Sequence, residues 1–160
     1  MSQELNNQEE QQEINNIEEL RKWFRKCPAL SDQNRFRVNY LSESPTEYAL
    51  YAVPSTIKFH ENVLGEVVPD DRQVINYIFA SKESYGADVQ QNLAAMGFYE
   101  EIVSWIIKQN FRGDFPVMDG GIVKSIMPTL TAFISEAGPD SAKYQIQIKV
   151  TYKYIQKEEN

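Results

Sequence analysis

The sequence predicts an α+β fold: a mainly antiparallel sheet packed on one face by a long helical segment, with another helix near the N-terminus. Two segments have the apolar periodicity of about 3.6 residues that is typical of helices. Several others alternate between apolar and polar residues, as strands with one buried face do. Since the two helical segments stand apart from runs of consecutive strands, the pattern indicates α+β rather than alternating α/β.

The clearest alternation in the chain covers residues 142–154. One side of this segment carries Lys, Gln and Thr. The other side carries Tyr144, Ile146, Ile148, Val150, Tyr152 and Tyr154. A slip of one residue would expose the apolar side and lose on the order of 10 kcal/mol, so the sequence strongly specifies the register of this strand.

Composition limits the class of protein. The 160 residues, of which 42% are hydrophobic, suffice for one globular domain with a proper core. No apolar stretch approaches the ~20 residues of a membrane span, so we expect no membrane partner. The formal charge of −7 argues against a protein that binds nucleic acid tightly. It is compatible with a protein past which DNA moves without being bound.

The chain divides into three segments. Residues 1–13 are rich in Asn, Gln and Glu without a basic residue, which predicts a disordered, polar and acidic arm. Residues 14–156 are expected to form a single α+β domain, and residues 157–160 a charged tail. No internal repeat is evident.

The first half of the domain reads as one helix followed by short strands. Apolar residues recur at helical spacing over 14–27, and Pro28 marks the end because the residue before a proline disfavours helical geometry. Strands are predicted at 36–40, 48–53, 56–61 and 73–80. Between 62 and 71, Gly65 and Pro69 indicate a loop.

The second half begins with a long helix over residues 85–110. Gly97 predicts a bend or break in it, because glycine costs about 1 kcal/mol relative to alanine. Residues 122–136 read as one or two strands interrupted by Pro128. The apolar residues expected along the buried stripe of the helix are Val89, Leu93, Met96, Val103 and Ile106.

Side chains that catalysis uses are few and scattered. His60 is the only histidine, so the common triads and multi-histidine metal sites lack a second member. Cys27 has no nearby partner for a dyad, and Gly120-Gly121 lacks the downstream residues of a phosphate-binding loop. We therefore expect no enzyme, no cofactor and no metal.

The polar side of the last strand carries a basic stripe of Lys143, Lys149 and Lys153. Without aromatic residues on the same side, this stripe does not resemble a platform on which nucleic-acid bases stack. Three alternatives are open for it: a solvated face, a contact with a partner subunit, and the wall of a channel.

Four motif blocks lie between residues 36 and 154. They are VNYL (38–41) with SPTEY (44–48), FASKESYGAD (79–88) leading to Asn92 and GFYE (97–100), Trp105 with Gln109-Asn110 and Pro116, and DSAKYQIQI (140–148). Together they resemble the small tail-terminator or minor capsid proteins that are encoded in head-to-tail gene clusters of long-tailed phages and prophages of Gram-positive bacteria.

This resemblance implies an α+β subunit of a homo-oligomeric ring, a hexamer, that caps the tail tube and joins it to the head. The implied partners are further copies of the chain, the tail-tube protein and head-connector proteins, with DNA passing but not specifically bound. The implied location is the neck of the virion, after assembly in the bacterial cytoplasm, and no cofactor is implied. The positions that carry the resemblance are Tyr40, Pro45, Tyr85, Asp88, Asn92, Tyr99, Glu100, Trp105, Pro116, Ala142 and Tyr144.

Two other functions fit the same sequence. A head-completion or connector protein shares the gene neighbourhood and the small α+β build. From a different class, a ligand-binding module would use an aromatic pocket between the sheet and the long helix. In a ring, Lys143, Lys149 and Lys153 would face either a neighbouring subunit or the lumen.

Overall fold

Two helices lie against one face of a five-stranded sheet in the computed structural model, which describes residues 15–30, 35–42 and 45–155. The helices are α1 (Asn16–Phe24) and α2 (Val89–Arg112). The strands are β1 (Phe36–Val38), β2 (Glu47–Ala52), β3 (Phe59–Glu61), β4 (Val67–Pro69), β5 (Arg72–Ser84), β6 (Gly121–Ala137) and β7 (Ser141–Tyr154). The predicted α+β class is confirmed. The arm predicted at 1–13 and the tail predicted at 157–160 lie outside the described residues.

The main sheet has the strand order β1-β2-β5-β7-β6. Strands β1 and β2 pair in parallel, and the other neighbours are antiparallel. Strands β5 and β7 form the centre and pair along the whole of β5. The alternation predicted for the last strand is confirmed from residue 142 to residue 150: the side of β7 that faces the helices is buried at Ala142, Tyr144, Ile146, Ile148 and Val150. At the end of the strand the prediction is wrong, because Thr151 is buried and Tyr152 and Tyr154 are only half-buried.

Helix α1 begins at a side-chain cap. Asn15 Oδ1 accepts hydrogen bonds from Ile17 N (3.1 Å) and Glu18 N (3.4 Å), which satisfies backbone donors that a helix start leaves free. The helix ends before the predicted residue 27, and residues 25–30 continue as turns. Its buried side chains are Leu20, Trp23 and Phe24.

Helix α2 is continuous through Gly97. Asp88 Oδ1 caps its start by accepting a hydrogen bond from Gln90 N at 3.0 Å, and Gly113 adopts the left-handed conformation after its end, with φ of 67°. The break predicted at Gly97 does not occur. Packing along a helix of 24 residues outweighs the cost of about 1 kcal/mol that one glycine imposes.

The side that α2 turns towards the sheet differs from the predicted stripe. Val89, Leu93 and Met96 are exposed, so the prediction is wrong for these three. The buried side includes Tyr99 and Gln109, whose polar atoms are satisfied inside the protein and which a count of apolar residues overlooks. The buried residues follow one another at helical spacing: Ala95, Tyr99, Ile102, Ile106 and Gln109.

Strand β6 forms a single bulged strand. It pairs with β7 through four register shifts, one of them beside Pro128. Such bulges accommodate residues that interrupt the ladder of hydrogen bonds. Asn110 of α2 holds the strand from the helix side: its Nδ2 donates to Ile126 O, and its Oδ1 accepts from Ile126 N at 3.0 Å.

A two-stranded hairpin, β3–β4, stands outside the main sheet. Its antiparallel pairs run from Phe59↔Pro69 to Glu61↔Val67. The loop predicted between residues 62 and 71 is therefore wrong at Val67–Pro69, which form β4. Strand β4 could not be predicted from the sequence because it has only three residues. None of them is fully buried, so the segment lacks the alternation of apolar and polar residues that indicates a strand.

Aromatic rings fill the space between the sheet and the helices. Phe79 of β5 is fully buried, and its ring centroid lies 5.2 Å from that of Phe24, 6.1 Å from Tyr48 and 5.9 Å from Tyr99. Ring pairs at these distances stabilise a core beyond the area they bury. The aromatic residues thus pack on one another where the ligand-binding alternative expects a pocket.

Candidate functional site

Two positions that carry the resemblance, Tyr99 and Tyr144, take part in one buried hydrogen-bond network. Tyr99 Oη donates to Tyr144 O at 2.9 Å and lies 2.6 Å from Ser81 Oγ. Burial raises the pKa of the Tyr99 hydroxyl well above its ordinary value, so this group stays protonated. Ala142, next to this network on β7, is fully buried. These residues join α2 to the centre of the sheet.

A second set holds the two ends of α2. Asp88 caps its start, and Asn92 Nδ2 donates to Gly86 O at 2.9 Å. Near the other end, the Gln109 amide satisfies both of its neighbours when its nitrogen is oriented to donate to Asp114 Oδ2; its oxygen then accepts from Trp105 Nε1 at 3.0 Å. The ring centroid of Trp105 lies 4.6 Å from that of Trp23 in α1.

The other positions that carry the resemblance lie apart from one another. Tyr40 follows β1 and is exposed, with the Arg37 guanidinium 5.4 Å from its ring centroid. Pro45 and Glu100 are also exposed. Tyr85 and Pro116 are half-buried in connections that flank α2. The positions that carry the resemblance therefore do not form one site, and most of them support the fold.

The sheet face opposite the helices is covered by none of the described elements, and we term it the open face. Its apolar residues follow β6, and its polar residues follow the neighbouring β7, as the register of the two strands shows. Lys143, Lys149 and Lys153 all project from it, and Lys143 Nζ lies 4.5 Å from the ring centroid of Tyr51. The open face comprises Ile122, Met127, Leu130 and Phe133 of β6, and Lys143, Gln145, Gln147, Lys149 and Lys153 of β7.

The open face is basic although the chain is acidic. A depression of about 340 Å³ at one end is lined by Arg72, Lys124 and Lys153, together with Ser125, Thr151, Tyr152 and Asp71. At the opposite end, Glu136 is paired with Lys143 in the β-ladder. Cationic side chains thus outnumber carboxylates along the whole open face. From the sequence, only the lysines of β7 could be predicted to share this face.

The β3–β4 hairpin is held firmly at its base and at its turn. The Gln73 side chain accepts from Lys58 N (3.1 Å) and donates to Lys58 O (2.8 Å) and Asp70 O (3.0 Å). In the turn, Asn62 Oδ1 accepts from Leu64 N and Glu66 N, both at 3.0 Å. These bonds fix the shape of a segment that has little packing of its own.

The hairpin exposes apolar side chains. Leu64 is 78% exposed and Val67 73%, and Val63 at the tip is fully exposed. Phe59 and Val67 lie on the same side of the hairpin, together with Glu61, because cross-strand partners project to one face. Sequence reasoning overlooked this surface because residues 62–71, which include Val63, Leu64 and Val67, were assigned to a loop.

Helix α2 exposes a further apolar stripe. Between this stripe and β6 lies a groove of about 360 Å³, whose rim carries Glu100 and Ser104. Its apolar lining comes from Met96, Val103, Ile107 and Ala132. Val89 and Leu93 extend the stripe towards the start of the helix.

Glu47 is a buried carboxylate with cationic partners. Its side chain is 1% exposed, and its Oε1 lies 3.2 Å from Arg37 Nη2 and 3.8 Å from Arg35 Nη1. Hydrogen bonds from Ser42, whose backbone N lies 2.8 Å from Oε2, lower the pKa of Glu47, and Arg37 adds to this effect. The ionised carboxylate therefore stabilises the edge formed by β1 and β2.

We expect Glu47→Gln to lower the free energy of unfolding by about 1.5–3 kcal/mol at pH 7, as measured by urea denaturation. A pKa lowered on folding gives stability that is present above the ordinary value and lost as the pH falls through the folded value. The deficit of the variant should therefore shrink below pH 4.5, the ordinary pKa of Glu47.

Glu83→Gln is the matched control for this experiment, because burial raises the pKa of Glu83. The Glu83 carboxylate should therefore become more costly as the pH rises, so this variant should gain stability relative to the wild type with increasing pH. A deficit of Glu47→Gln that stays constant from pH 7 to pH 3 would contradict the role of the ionised carboxylate.

Other reactive groups are dispersed among the described residues. His60 Nδ1 lies 2.7 Å from Asp70 Oδ1 on the hairpin, and burial raises the pKa of the Cys27 thiol. Within residues 15–30, 35–42 and 45–155, no three His, Cys, Asp or Glu side chains are grouped closely enough to hold a metal ion. Neither helix of this part of the chain has the length and apolarity needed to cross a membrane.

The resemblance to tail terminators is carried by the motif blocks alone, and these blocks map mainly onto residues that support the fold. No protein-family model matches the chain, and no curated protein matches it.

Proposed function

We propose that the protein is a structural subunit of a phage or prophage virion, a tail terminator that forms a ring at the head-proximal end of the tail tube. One observation supports this most: the chain exposes apolar side chains on three separate surfaces, namely the hairpin, the open face and α2. Exposed apolar patches are typical of surfaces that contact other proteins. A subunit that contacts two ring neighbours and a tube needs several such surfaces.

Ring formation requires contacts of a particular kind. When a surface of one subunit binds a different surface of the next, the contacts close into a ring if the rotation between subunits allows it. The hairpin and the open face are different surfaces of the same chain, as such a contact requires. The partners of the proposed ring are the tail-tube protein below and the head-connector proteins above, and DNA passes through without specific binding.

Tube capping tests the proposal. The tail-tube protein of the proposed virion is assembled in vitro with increasing amounts of the purified protein, and tube length is measured by negative-stain electron microscopy. We expect shorter tubes at higher ratios, with a ring at one end. Tubes of unchanged length, without the protein at their ends, would contradict the proposal.

A head-completion or connector protein is the second candidate, because it would expose similar surfaces for assembly. Purified DNA-filled heads that lack tails distinguish the two functions. Binding to such heads in the absence of tubes, with no effect on tube length, would favour the connector. A ligand-binding module would instead show a rise in Tm with a specific small molecule.

A further inference from the structure

The hairpin and the open face match one another in chemistry. The hairpin presents Val63, Leu64 and Val67 at and near its tip, and the open face presents an apolar row of Ile122, Met127, Leu130 and Phe133 along β6. We propose that the β3–β4 hairpin of one copy docks onto the open face of a second copy. The contact itself is argued from these surfaces, and its closure into a ring rests on the proposed function.

Charge is the first argument for this pairing. In residues 57–70, Lys58 is opposed by Glu61, Glu66 and Asp70, so the segment has a formal charge of −2 with His60 neutral. The open face and its depression carry Arg72, Lys124, Lys149 and Lys153. Opposite charges at the margin of an apolar contact speed association and select the partner.

Rigidity is the second argument. The turn bonds of Asn62 and the base bonds of Gln73 fix the hairpin before any partner arrives. A segment that is already ordered loses little conformational entropy on binding. Val63, Leu64 and Val67 are exposed on this rigid hairpin and do not contribute to the core of their own subunit. Contact with a second copy would bury them.

The α2 groove is a less suitable receptor for the hairpin. Its rim carries the exposed carboxylate of Glu100. A hairpin docked in this groove would bring Glu61 and Glu66 towards that carboxylate, and like charges across an interface oppose binding. The open face has the same apolar character with the opposite sign of charge.

Duplex DNA is the other occupant that a basic face suggests. The β6 row argues against it, since a phosphate backbone leaves Met127, Leu130 and Phe133 without an apolar partner. A protein contact covers both the apolar row and the lysines. The open face would then be an interface between subunits rather than the wall of the lumen.

Sedimentation velocity of the full chain over a wide concentration range tests the contact. We expect concentration-dependent association of the wild type, and at least about tenfold weaker association for Leu64→Ser and for Leu130→Glu. Leu93→Glu is the matched control: it places the same substitution on α2, where leucine is 57% exposed compared with 48% for Leu130. It should associate like the wild type, and all three variants should keep the wild-type Tm.

Mixing the two deficient variants distinguishes this contact from a symmetric one. Leu64→Ser retains a normal open face and Leu130→Glu retains a normal hairpin, so the mixture should form 1:1 dimers that grow no further. Association by hairpin-to-hairpin contact would instead leave Leu130→Glu unimpaired. That result would overturn the proposal.

Reversal of charge provides a rescue. Glu61→Lys with Glu66→Lys should weaken association about tenfold, and adding Lys149→Glu and Lys153→Glu should restore most of it at low salt. A wild type that stays monomeric at its highest soluble concentration would overturn the proposal. Loss of association in Leu93→Glu, with normal association of Leu64→Ser and Leu130→Glu, would also overturn it. A third contrary result would be that duplex DNA protects the open-face lysines from chemical modification while Leu130→Glu associates normally.

These outcomes are separable from those of the proposed function. If Leu64→Ser still forms rings and caps tubes, the hairpin contact is wrong and the terminator proposal stands. If the wild type associates through the hairpin but leaves tube length unchanged, the terminator proposal is wrong and the contact stands.

Discussion

Ile148→Asp is expected to abolish folding. Ile148 is fully buried at the centre of β7, between Tyr77 of β5 and Pro128 of β6. The substitution removes a core side chain, which costs about 2–5 kcal/mol, and adds an unpaired buried carboxylate with a further cost of several kcal/mol. Together these approach or exceed the 5–15 kcal/mol by which a typical domain is stable.

The measurement is far-UV circular dichroism combined with size-exclusion chromatography of the purified variant. Lys149→Asp, one residue along the same strand, is the matched control because Lys149 projects from the open face. We expect it to remain folded with a change in unfolding free energy of about 1 kcal/mol or less. A stable, cooperatively unfolding Ile148→Asp protein would show that the two faces of β7 have been exchanged.

Alternation made the central strand predictable from the sequence. On β7, every second side chain from Ala142 to Val150 is buried, so a period of two translates directly into a register. The buried side of α2 was harder to predict because the helix has two apolar stripes. The stripe with Val89, Leu93 and Met96 is the more hydrophobic by composition, whereas Tyr99 and Gln109 lie on the stripe that is buried.

The surfaces proposed for assembly were only partly predictable. Lys143, Lys149 and Lys153 could be placed together on one face because they lie on the same strand and are separated by even numbers of residues. Arg72 and Lys124 could not, since they join that face through pairing between strands distant in sequence. The hairpin gave no periodic signal because its apolar residues are exposed on a projection rather than buried on one side.

Phe79→Ala is expected to lower the free energy of unfolding by about 3–5 kcal/mol, the range for removing a buried phenylalanine. The position contributes more than its area because the Phe79 ring contacts Phe24, Phe36 and Tyr99, which belong to α1, β1 and α2. The cavity would therefore open where both helices and the sheet meet, and no single element can move to fill it. Urea denaturation provides the measurement.

Phe111→Ala is the matched control, because Phe111 is 88% exposed near the end of α2. Its unfolding free energy should stay within about 0.5 kcal/mol of the wild type. A loss at Phe79 near 3 kcal/mol would indicate that the rings relax into the space, and a loss near 5 kcal/mol would indicate a rigid cavity. A loss below about 1 kcal/mol would contradict the central place of Phe79, and the packing of α1 on the sheet would then depend mainly on Trp23 and Phe24.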